Sequence, residues 1–308
     1  MKPATKAHIG VICTNVFFAS NYSLVKYISP SIVKPYALNL IRVGVSLVLF
    51  WLLWLLGKFL PPRSKGHSER TGAAGIKKEH AGRFFLCALT GIAINQTLFI
   101  KGLTMTSTIH ASLLILCTPL LITIFAFWIL KEKLTIAKAL GLALGIGGSV
   151  LLILIKENSS QGENYLLGDL FIIINAISYA FYFILVKPLM EEYHPVHVIR
   201  WVFTLGFIMI APFGWQEFRE VQWQQFELSQ IASLAFVVIG ATFLAYYFNL
   251  YGIQQLGAGI TGSYIYTQPV FAALIAIFVL HEPLTLQKLI AGILISAGVF
   301  LVSLKSSS

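Results

Sequence analysis

Amide and aromatic side chains recur at helical spacing within otherwise apolar stretches of the sequence. Asn15 and Tyr22 lie seven residues apart, and Asn95 and Phe99 lie four apart, spacings that place two side chains on one face of a helix. Amides and phenols form hydrogen bonds without carrying charge. We therefore expect them to line a cavity for a neutral or zwitterionic solute, or for one with an aromatic part. The alternative for each residue is a hydrogen bond between helices or aromatic packing. The residues of this pattern are Asn15, Tyr22, Asn95, Phe99, Asn175, Tyr179, Tyr182, Tyr246, Asn249, Tyr264 and Gln268.

Carboxylates are missing from the middle of every apolar stretch. Asp169 stands at the beginning of one, while Glu132 and Glu282 close two others. Because buried acids are the usual proton relays and cation sites of carriers, proton-coupled export of a hydrophobic cation is not expected. An integral membrane enzyme with a metal centre, the main alternative, would need clustered acids or histidines, whereas the seven histidines are scattered. We expect no enzymatic activity, no cofactor and no metal.

The composition places these stretches in a membrane. Of the 308 residues, 57% are hydrophobic and 11% are charged, and the mean hydropathy is +0.81; soluble proteins carry about 25% charged residues. A helix of about 20 apolar residues crosses a bilayer core of about 30 Å, and a backbone in lipid must form its hydrogen bonds internally. The sequence predicts an all-α integral membrane fold of ten transmembrane helices. They should lie at 8–25, 36–57, 84–104, 108–130, 137–155, 166–186, 198–214, 231–251, 259–280 and 287–304.

The distribution of Lys and Arg predicts the orientation of the chain. With the N-terminus in the cytoplasm, 15 of these residues fall on the inner side and six on the outer side. Basic residues concentrate in cytoplasmic loops, so both termini should be cytoplasmic, and the compact loops fit a prokaryotic inner membrane. These loops also account for the net charge of +10. The lipid bilayer and a small-molecule substrate are therefore the expected partners, and nucleic acid is not.

The sequence repeats itself after a shift of 150 residues. Pro119 then coincides with Pro269, and Gly148 coincides with Gly298, in an ungapped match that covers the fourth, fifth, ninth and tenth segments. Proline removes a backbone hydrogen bond and kinks a helix. The two prolines are therefore candidates for hinges in gating, and the alternative is a static kink that shapes the cavity.

The repeat divides the chain into two halves of five helices. The first half covers 8–155, a linker covers 156–165, and the second half covers 166–304. Because five is an odd number, the second half enters the membrane in the opposite direction, which gives an inverted-topology repeat. In such repeats the substrate site lies between the halves near the middle of the membrane.

Two further patterns leave alternatives open. Arg42 and Lys101 are the cations well inside apolar segments. Lys101 can reach the outer interface through its long side chain, but if both faced the cavity they would favour an anionic substrate. Gly141, Gly145 and Gly148 form a stripe of small residues that allows close helix approach. We expect the stripe to pack against helices of the same chain, and the alternative is the seam of a homodimer.

Two sets of motifs resemble a known family. The first set is TPL at Thr118–Leu120, LKEKLT at Leu130–Thr135 and the glycines of the fifth segment. The second is QPV at Gln268–Val270, LHEPLT at Leu280–Thr285 and Gly292 with Gly298. Both sets resemble the closing pattern of an EamA domain of the drug/metabolite transporter superfamily, and two tandem copies are typical of its ten-helix exporters.

The resemblance implies a fold and a class of function. Helices 1, 3, 4, 6, 8 and 9 should surround a central cavity, with helices 5 and 10 at the periphery. Members of this superfamily export amino acids and other metabolites, or exchange sugar phosphates and nucleotide sugars. We therefore expect a secondary transporter that exports a small neutral or zwitterionic metabolite by alternating access, with an organophosphate or nucleotide-sugar exchanger as the alternative. A channel would show a charged ring or a filter loop, and neither is visible in the sequence.

Overall fold

The computed structural model describes residues 2–59, 75–129, 136–154, 164–281 and 284–303. Over these residues ten helical segments follow one another, numbered α1 to α10 in chain order. They are α1 (Pro3–Ile28), α2 (Pro35–Phe59), α3 (Lys78–Leu103), α4 (Thr108–Leu114 and Cys117–Ile129), α5 (Ile136–Leu154), α6 (Tyr165–Glu192), α7 (Pro195–Arg219), α8 (Leu228–Leu256), α9 (Ala258–Ser263, Tyr264–Thr267 and Gln268–Leu280) and α10 (Leu286–Ser303). Glu132, Glu282, the motif at 130–135 and most of the expected linker at 156–165 lie outside the described residues.

Six of the described helices are long and apolar enough to cross a membrane. They are Pro35–Leu56, Lys78–Leu103, Thr108–Phe125, Tyr165–Glu192, Pro195–Arg219 and Leu228–Leu256. Two shorter apolar helices, Ala139–Leu151 and Leu286–Gly298, accompany them. The chain is therefore an all-helical, multi-pass membrane protein over its described part, as the composition predicts.

Helices α3 and α8 each contain a π-helical stretch in the middle of the membrane segment. The stretches are Leu89–Ile94 in α3 and Phe236–Leu244 in α8. A wider helical turn leaves carbonyl groups available to other partners, and such bulges are frequent at functional sites. In α3 the Ser178 hydroxyl of α6 donates to the carbonyl of Thr90 at 2.7 Å. The π stretch thus exposes backbone acceptors to the neighbouring helices without leaving them unpaired.

Helices α4 and α9 are interrupted shortly before their prolines. In α4 the helix ends at Leu114 and resumes at Cys117, and the Thr118 amide donates to the carbonyl of Ile115 at 2.9 Å. In α9 a 3-10 turn, Tyr264–Thr267, occupies the corresponding place. Pro119 and Pro269 therefore lie in the first turn of a new helix and not within a continuous one as predicted. The physical reason is that a proline lacks the amide hydrogen, which a first turn does not use.

The helices pack in a regular set of pairs. Helix α2 packs along α7, and α5 packs along α10. Helix α1 contacts α8 and α9, while α6 contacts α3 and α4. These contacts leave a space in the centre of the bundle, whereas α5 and α10 contribute nothing to its lining among the described residues.

The glycine stripe of α5 is covered by helices of the same chain. A side chain at Gly148 would lie within about 3 Å of Leu294 and Ile295 in α10, and one at Gly145 would overlap Leu120 in α4. These contacts show that the two glycines serve packing within one chain. Gly147 faces open space instead.

Candidate functional site

A cavity lies in the centre of the bundle, beside the breaks in α4 and α9. The space open to the centres of water molecules has a volume of about 70 Å³. This is room for several water molecules or for part of a small solute. Its walls come from α1, α2, α3, α4, α6, α8 and α9, so helices from both halves of the sequence enclose it. The lining residues are Phe18, Asn21, Tyr22, Arg42, Asn95, Gln96, Phe99, Ile115, Asn175, Tyr179, Tyr246, Ile265 and Gln268.

The candidate residues of the sequence pattern divide into two groups. Seven of them line the cavity, namely Tyr22, Asn95, Phe99, Asn175, Tyr179, Tyr246 and Gln268. The other four, Asn15, Tyr182, Asn249 and Tyr264, lie outside the lining. The structure places three of these four in contact with lining residues, where they hold the lining side chains in position.

Asn15 positions Gln268 across the interface between α1 and α9. The Gln268 Nε2 donates to the Asn15 Oδ1 at 2.7 Å, and the Tyr22 hydroxyl donates to the Gln268 Oε1 at 3.4 Å. All three side chains are buried. Because Gln268 directly precedes Pro269, this network ties the restarted half of α9 to α1.

Asn95 and Asn175 join α3 to α6. The Asn175 Nδ2 donates to the Asn95 carbonyl at 2.7 Å, and the Asn95 Nδ2 approaches the Asn175 carbonyl at 3.4 Å. Tyr246 of α8 donates from its hydroxyl to the carbonyl of Gly91 at 3.3 Å, within the π stretch. Three helices therefore meet through side chains that bond to backbone carbonyls, and all three side chains reach the cavity.

Tyr179 is supported by two of the residues behind the lining. The Asn249 Nδ2 donates to the Tyr179 hydroxyl at 2.9 Å. The Tyr182 ring lies nearly parallel to the Tyr179 ring at 6.0 Å and occupies the space that a side chain at Gly91 would fill. The Tyr179 ring is thus supported by Asn249 of α8 and by Tyr182 of its own helix, which in turn packs against Gly91 of α3.

Tyr264 lies at the rim and not in the cavity. Its hydroxyl forms a hydrogen bond of 2.8 Å with the Nδ1 of His8 at the beginning of α1. This contact links the second turn of α1 to the 3-10 turn of α9. We expect it to affect the relative movement of these helices more than the binding of a solute.

Arg42 is the most consequential lining residue outside the sequence pattern. It lies on α2, a helix that the resemblance does not place around the cavity, and its Nε donates to the Thr242 hydroxyl of α8 at 3.0 Å. The sequence shows a cation within α2 but not the face that it occupies. Lys101, the other cation considered, is absent from the lining. Asn21 and Gln96 also line the cavity, although they do not belong to the sequence pattern. Each is adjacent in the sequence to a candidate residue.

The acids of the described residues lie at helix ends, away from the cavity. At one surface Lys34 and Glu220 pair at 2.5 Å, and at another Lys77 and Glu192 pair at 3.1 Å. The hydrogen bond that Lys34 donates lowers the pKa of the Glu220 carboxyl, and the hydrogen bond that Lys77 donates to Glu192 raises the pKa of the Lys77 ammonium. Both shifts favour the charged forms of Glu220 and Lys77. Within the described part of the chain, no group of three histidine, cysteine or acidic side chains could hold a metal.

A buried histidine–aspartate pair lies apart from the cavity. The Asp169 carboxylate accepts hydrogen bonds from the Thr106 hydroxyl at 2.5 Å and from the His110 Nδ1 at 3.1 Å. The side chains of His110 and Asp169 are 1% and 2% exposed. The cluster joins the beginning of α6 to the connection between α3 and α4. The sequence pattern did not indicate it, because the residues come from different segments.

The arrangement is that of a membrane transporter. A multi-pass helical bundle encloses a polar and aromatic cavity to which helices of both halves of the sequence contribute. Similarity to known proteins leads to the same class. The model of the EamA-like transporter family matches residues 5–154 and again residues 166–304. The chain belongs to the EamA-like transporter family and carries two tandem copies of its domain.

Individual relatives are distant but extend over nearly the full chain. An uncharacterized transporter of Archaeoglobus fulgidus is 24% identical over 96% of this chain and 98% of its own length. A WAT1-related protein of Arabidopsis thaliana is 25% identical over 98% of this chain and 86% of its own length. A protein of known crystal structure superimposes with a TM-score of 0.60 over 94% of both chains at 15% identity, a likeness that shows the fold alone. The chain is therefore a transporter, and not an enzyme.

Proposed function

We propose that the chain is a ten-helix secondary transporter made of two inverted five-helix halves, which exports a small neutral or zwitterionic metabolite by alternating access. The observation that carries this proposal is the cavity lining, which combines five amide side chains with five aromatic rings and is enclosed by helices of both halves. Amides bind uncharged or zwitterionic polar groups, and rings bind apolar parts of a solute. Export in preference to import follows the resemblance to ten-helix exporters.

Matching irregularities support the inverted repeat. The π stretch Leu89–Ile94 of α3 has its counterpart at Phe236–Leu244 of α8, and the break of α4 has its counterpart in the 3-10 turn of α9. The helix contacts correspond as well, since α1 meets α8 and α9 as α6 meets α3 and α4. Such irregularities are not required by a membrane span, so their recurrence at equivalent places favours two copies of one unit.

Side-chain contacts also correspond between the halves. The Thr14 hydroxyl of α1 donates to the carbonyl of Ala245 in α8 at 3.2 Å, and the Asn175 amide of α6 donates to the carbonyl of Asn95 in α3 at 2.7 Å. Asn95 and Ala245 are 150 residues apart, the distance of the sequence repeat. In each case, a polar side chain in the first helix of one half bonds to the carbonyl that directly follows the π stretch in the third helix of the other half.

We propose ten crossings with both termini in the cytoplasm, across a prokaryotic inner membrane, and contacts between helix ends support the first eight crossings. In that topology the ends joined by Lys34 and Glu220 both lie outside, and those joined by Lys77 and Glu192 both lie inside. The beginnings of α1 and α9, joined through His8, likewise both lie inside. A topology that omitted any one of the first eight crossings would place the members of at least one pair on opposite sides.

Transport by purified protein in liposomes tests the proposal. Liposomes loaded with a labelled amino acid, a nucleotide sugar or a sugar phosphate should release the amino acid fastest. Tyr179→Ala should lower that rate about tenfold or more, because the ring and its hydrogen bond with Asn249 leave the cavity wall. Tyr27→Ala is the matched control, since this tyrosine is 43% exposed and distant from the lining. Release of phosphorylated compounds alone would favour the exchanger, and equal rates for the two variants would contradict the proposed site.

The two prolines provide a separate test of alternating access. Pro119→Ala and Pro269→Ala should lower the transport rate severalfold without lowering expression, because a restored amide hydrogen lets the helix continue through the break. A continuous α4 or α9 would remove the point at which its halves bend. The measurement is the transport rate per folded molecule, with expression and elution profile recorded for each variant. Normal transport by both variants would show that the breaks only shape the cavity.

A further inference from the structure

We propose that Arg42 is the site that binds a carboxylate group of the transported solute. This inference rests on the proposed function and makes it more specific, since it assigns one chemical group of the substrate to one residue. The solute would be a small zwitterion or monoanion whose carboxylate meets the guanidinium at the α2 wall of the cavity.

The charge balance of the cavity carries the inference. Arg42 is 3% exposed. It carries the only permanent charge among the described residues of the lining. No described carboxylate lies within ion-pair distance of it. Its Nε is occupied by the Thr242 hydroxyl, whereas one terminal nitrogen, NH1, is buried without a hydrogen-bond partner. The guanidinium is thus held in place by one nitrogen and has another nitrogen free to donate to a bound group.

A lone buried cation of this kind is unfavourable for the empty protein. Removing a charge from water costs several kcal/mol unless a partner compensates for it, and ionisable groups within membrane segments are rare for that reason. A bound carboxylate would supply the missing counter-charge and hydrogen-bond acceptors. Guanidinium groups suit this task because their planar array of donors matches the two oxygens of a carboxylate.

The remainder of the lining fits the other parts of such a solute. The Asn21 Oδ1 and the Asn175 Oδ1 are buried carbonyl oxygens without hydrogen-bond partners, and both residues line the cavity. The orientation of the Asn175 amide follows from its Nδ2, which donates to the Asn95 carbonyl. Oxygens of this kind accept hydrogen bonds from an ammonium group. Ile115, Ile265 and the aromatic rings complete an apolar portion of the wall.

A single cation favours a carboxylate over a phosphate. A phosphate monoester carries nearly two negative charges at neutral pH, which the single charge of one guanidinium does not balance. Lys101 does not reach the lining. Arg42 therefore balances the charge of one carboxylate. When a zwitterion is bound, its own two charges cancel, and the net charge of the occupied cavity is that of Arg42.

Paired ligands test the inference on the purified full-length protein. We would record the thermal midpoint with each of the common amino acids, with the carboxamide of each, and with phenyl phosphate and glycerol 3-phosphate, since a ligand that binds the native state raises the midpoint. We expect at least one amino acid to raise it and its carboxamide to bind at least tenfold more weakly. Amides that bind as well as acids, stabilisation by phosphates alone, or no stabilisation by any acid would each overturn the inference.

Variants of Arg42 separate binding from a structural role. Arg42→Gln should weaken the binding of that amino acid tenfold or more, and Arg42→Lys should retain part of it. Arg42→Met, without ligand, should leave the thermal midpoint unchanged or raise it by about 2–4 °C, because an unpaired buried charge is removed. A midpoint lowered by several degrees in Arg42→Met would identify Arg42 as a structural link between α2 and α8 and contradict the inference. Transport that persists in Arg42→Gln would contradict it too, while leaving the proposed function intact.

Discussion

Replacing Gly298 with alanine should destabilise the protein strongly. A side-chain carbon at this position would lie within about 3 Å of the Gly141 carbonyl oxygen and the Gly145 backbone nitrogen, both in α5. These are backbone atoms, which cannot rotate away as a side chain can, so α5 and α10 would have to separate. Overpacking of a well-packed interface costs about 1–3 kcal/mol and occasionally more, and we expect the upper end of that range.

The thermal midpoint and the monodisperse fraction in detergent measure this effect. Gly147→Ala is the matched control, since it makes the same change in α5, the helix that faces Gly298, at a position with nothing within 4 Å. Alanine is a better helix former than glycine by about 1 kcal/mol, so the control should be neutral or slightly stabilising. If Gly298→Ala were as stable as Gly147→Ala, the close approach of α5 and α10 would be wrong.

Replacing Asp169 with alanine should have the second large effect on stability. Its carboxylate accepts hydrogen bonds from Thr106 and His110, and its side chain is 2% exposed. Leaving a buried hydrogen-bond donor without its partner costs about 1–3 kcal/mol, and Asp169→Ala would leave two such donors, on Thr106 and His110. The loss would loosen the beginning of α6 from the connection between α3 and α4.

A double-mutant cycle gives the sharpest test of this pair. Asp169→Ala and His110→Ala, singly and combined, should show a coupling of about 1 kcal/mol or more, because the second change removes a partner that the first has already orphaned. Thr106→Val serves as the graded control and should cost about 1 kcal/mol, the typical contribution of one hydrogen bond. Strictly additive midpoints would show that His110 and Asp169 do not depend on each other.

The membrane fold was predictable because it follows from local composition. Long apolar stretches require helices, and the family match over residues 5–154 and 166–304 agrees with the two tandem motif sets of the sequence. The ends of the helices were less predictable. Helix α6 extends to Glu192, beyond the apolar segment at 166–186 and through Pro188. Apolar composition indicates only the part of a helix that lies in lipid, whereas the helix itself continues into the polar layer.

The cavity was predictable in its residue types but not in its contacts. An isolated amide such as Asn95 or Asn175 in an apolar segment needs a partner, which is why the pattern was visible. That the two bond to each other's backbone depends on packing between α3 and α6, which no local pattern contains. Arg42 illustrates the same limit, since Asn39, Arg42 and Ser46 share one buried face of α2 at helical spacing, but only packing determines that Arg42 alone of the three lines the cavity.

The prolines and the histidine–aspartate pair show two further limits. A proline in an apolar run predicts an irregularity, but not whether the helix bends or restarts, and here it restarts before Pro119 and Pro269. His110 and Asp169 are 59 residues apart. Their encounter is a consequence of tertiary structure and leaves no trace in the spacing of either segment.

The number of residues in the π-helical stretch of α3 determines the direction in which the polar side chains after it point. Each residue of an α-helix turns the chain by about 100°, and a π stretch holds an extra residue. Asn95, Gln96 and Phe99 follow the stretch Leu89–Ile94, so their direction depends on that extra residue and not only on their own identity. A relative with a one-residue gap in this stretch would carry the same side chains on α3 and present them to another neighbour. When the cavities of relatives are compared, the lengths of their π-helical stretches must therefore be matched before the types of the lining residues are compared.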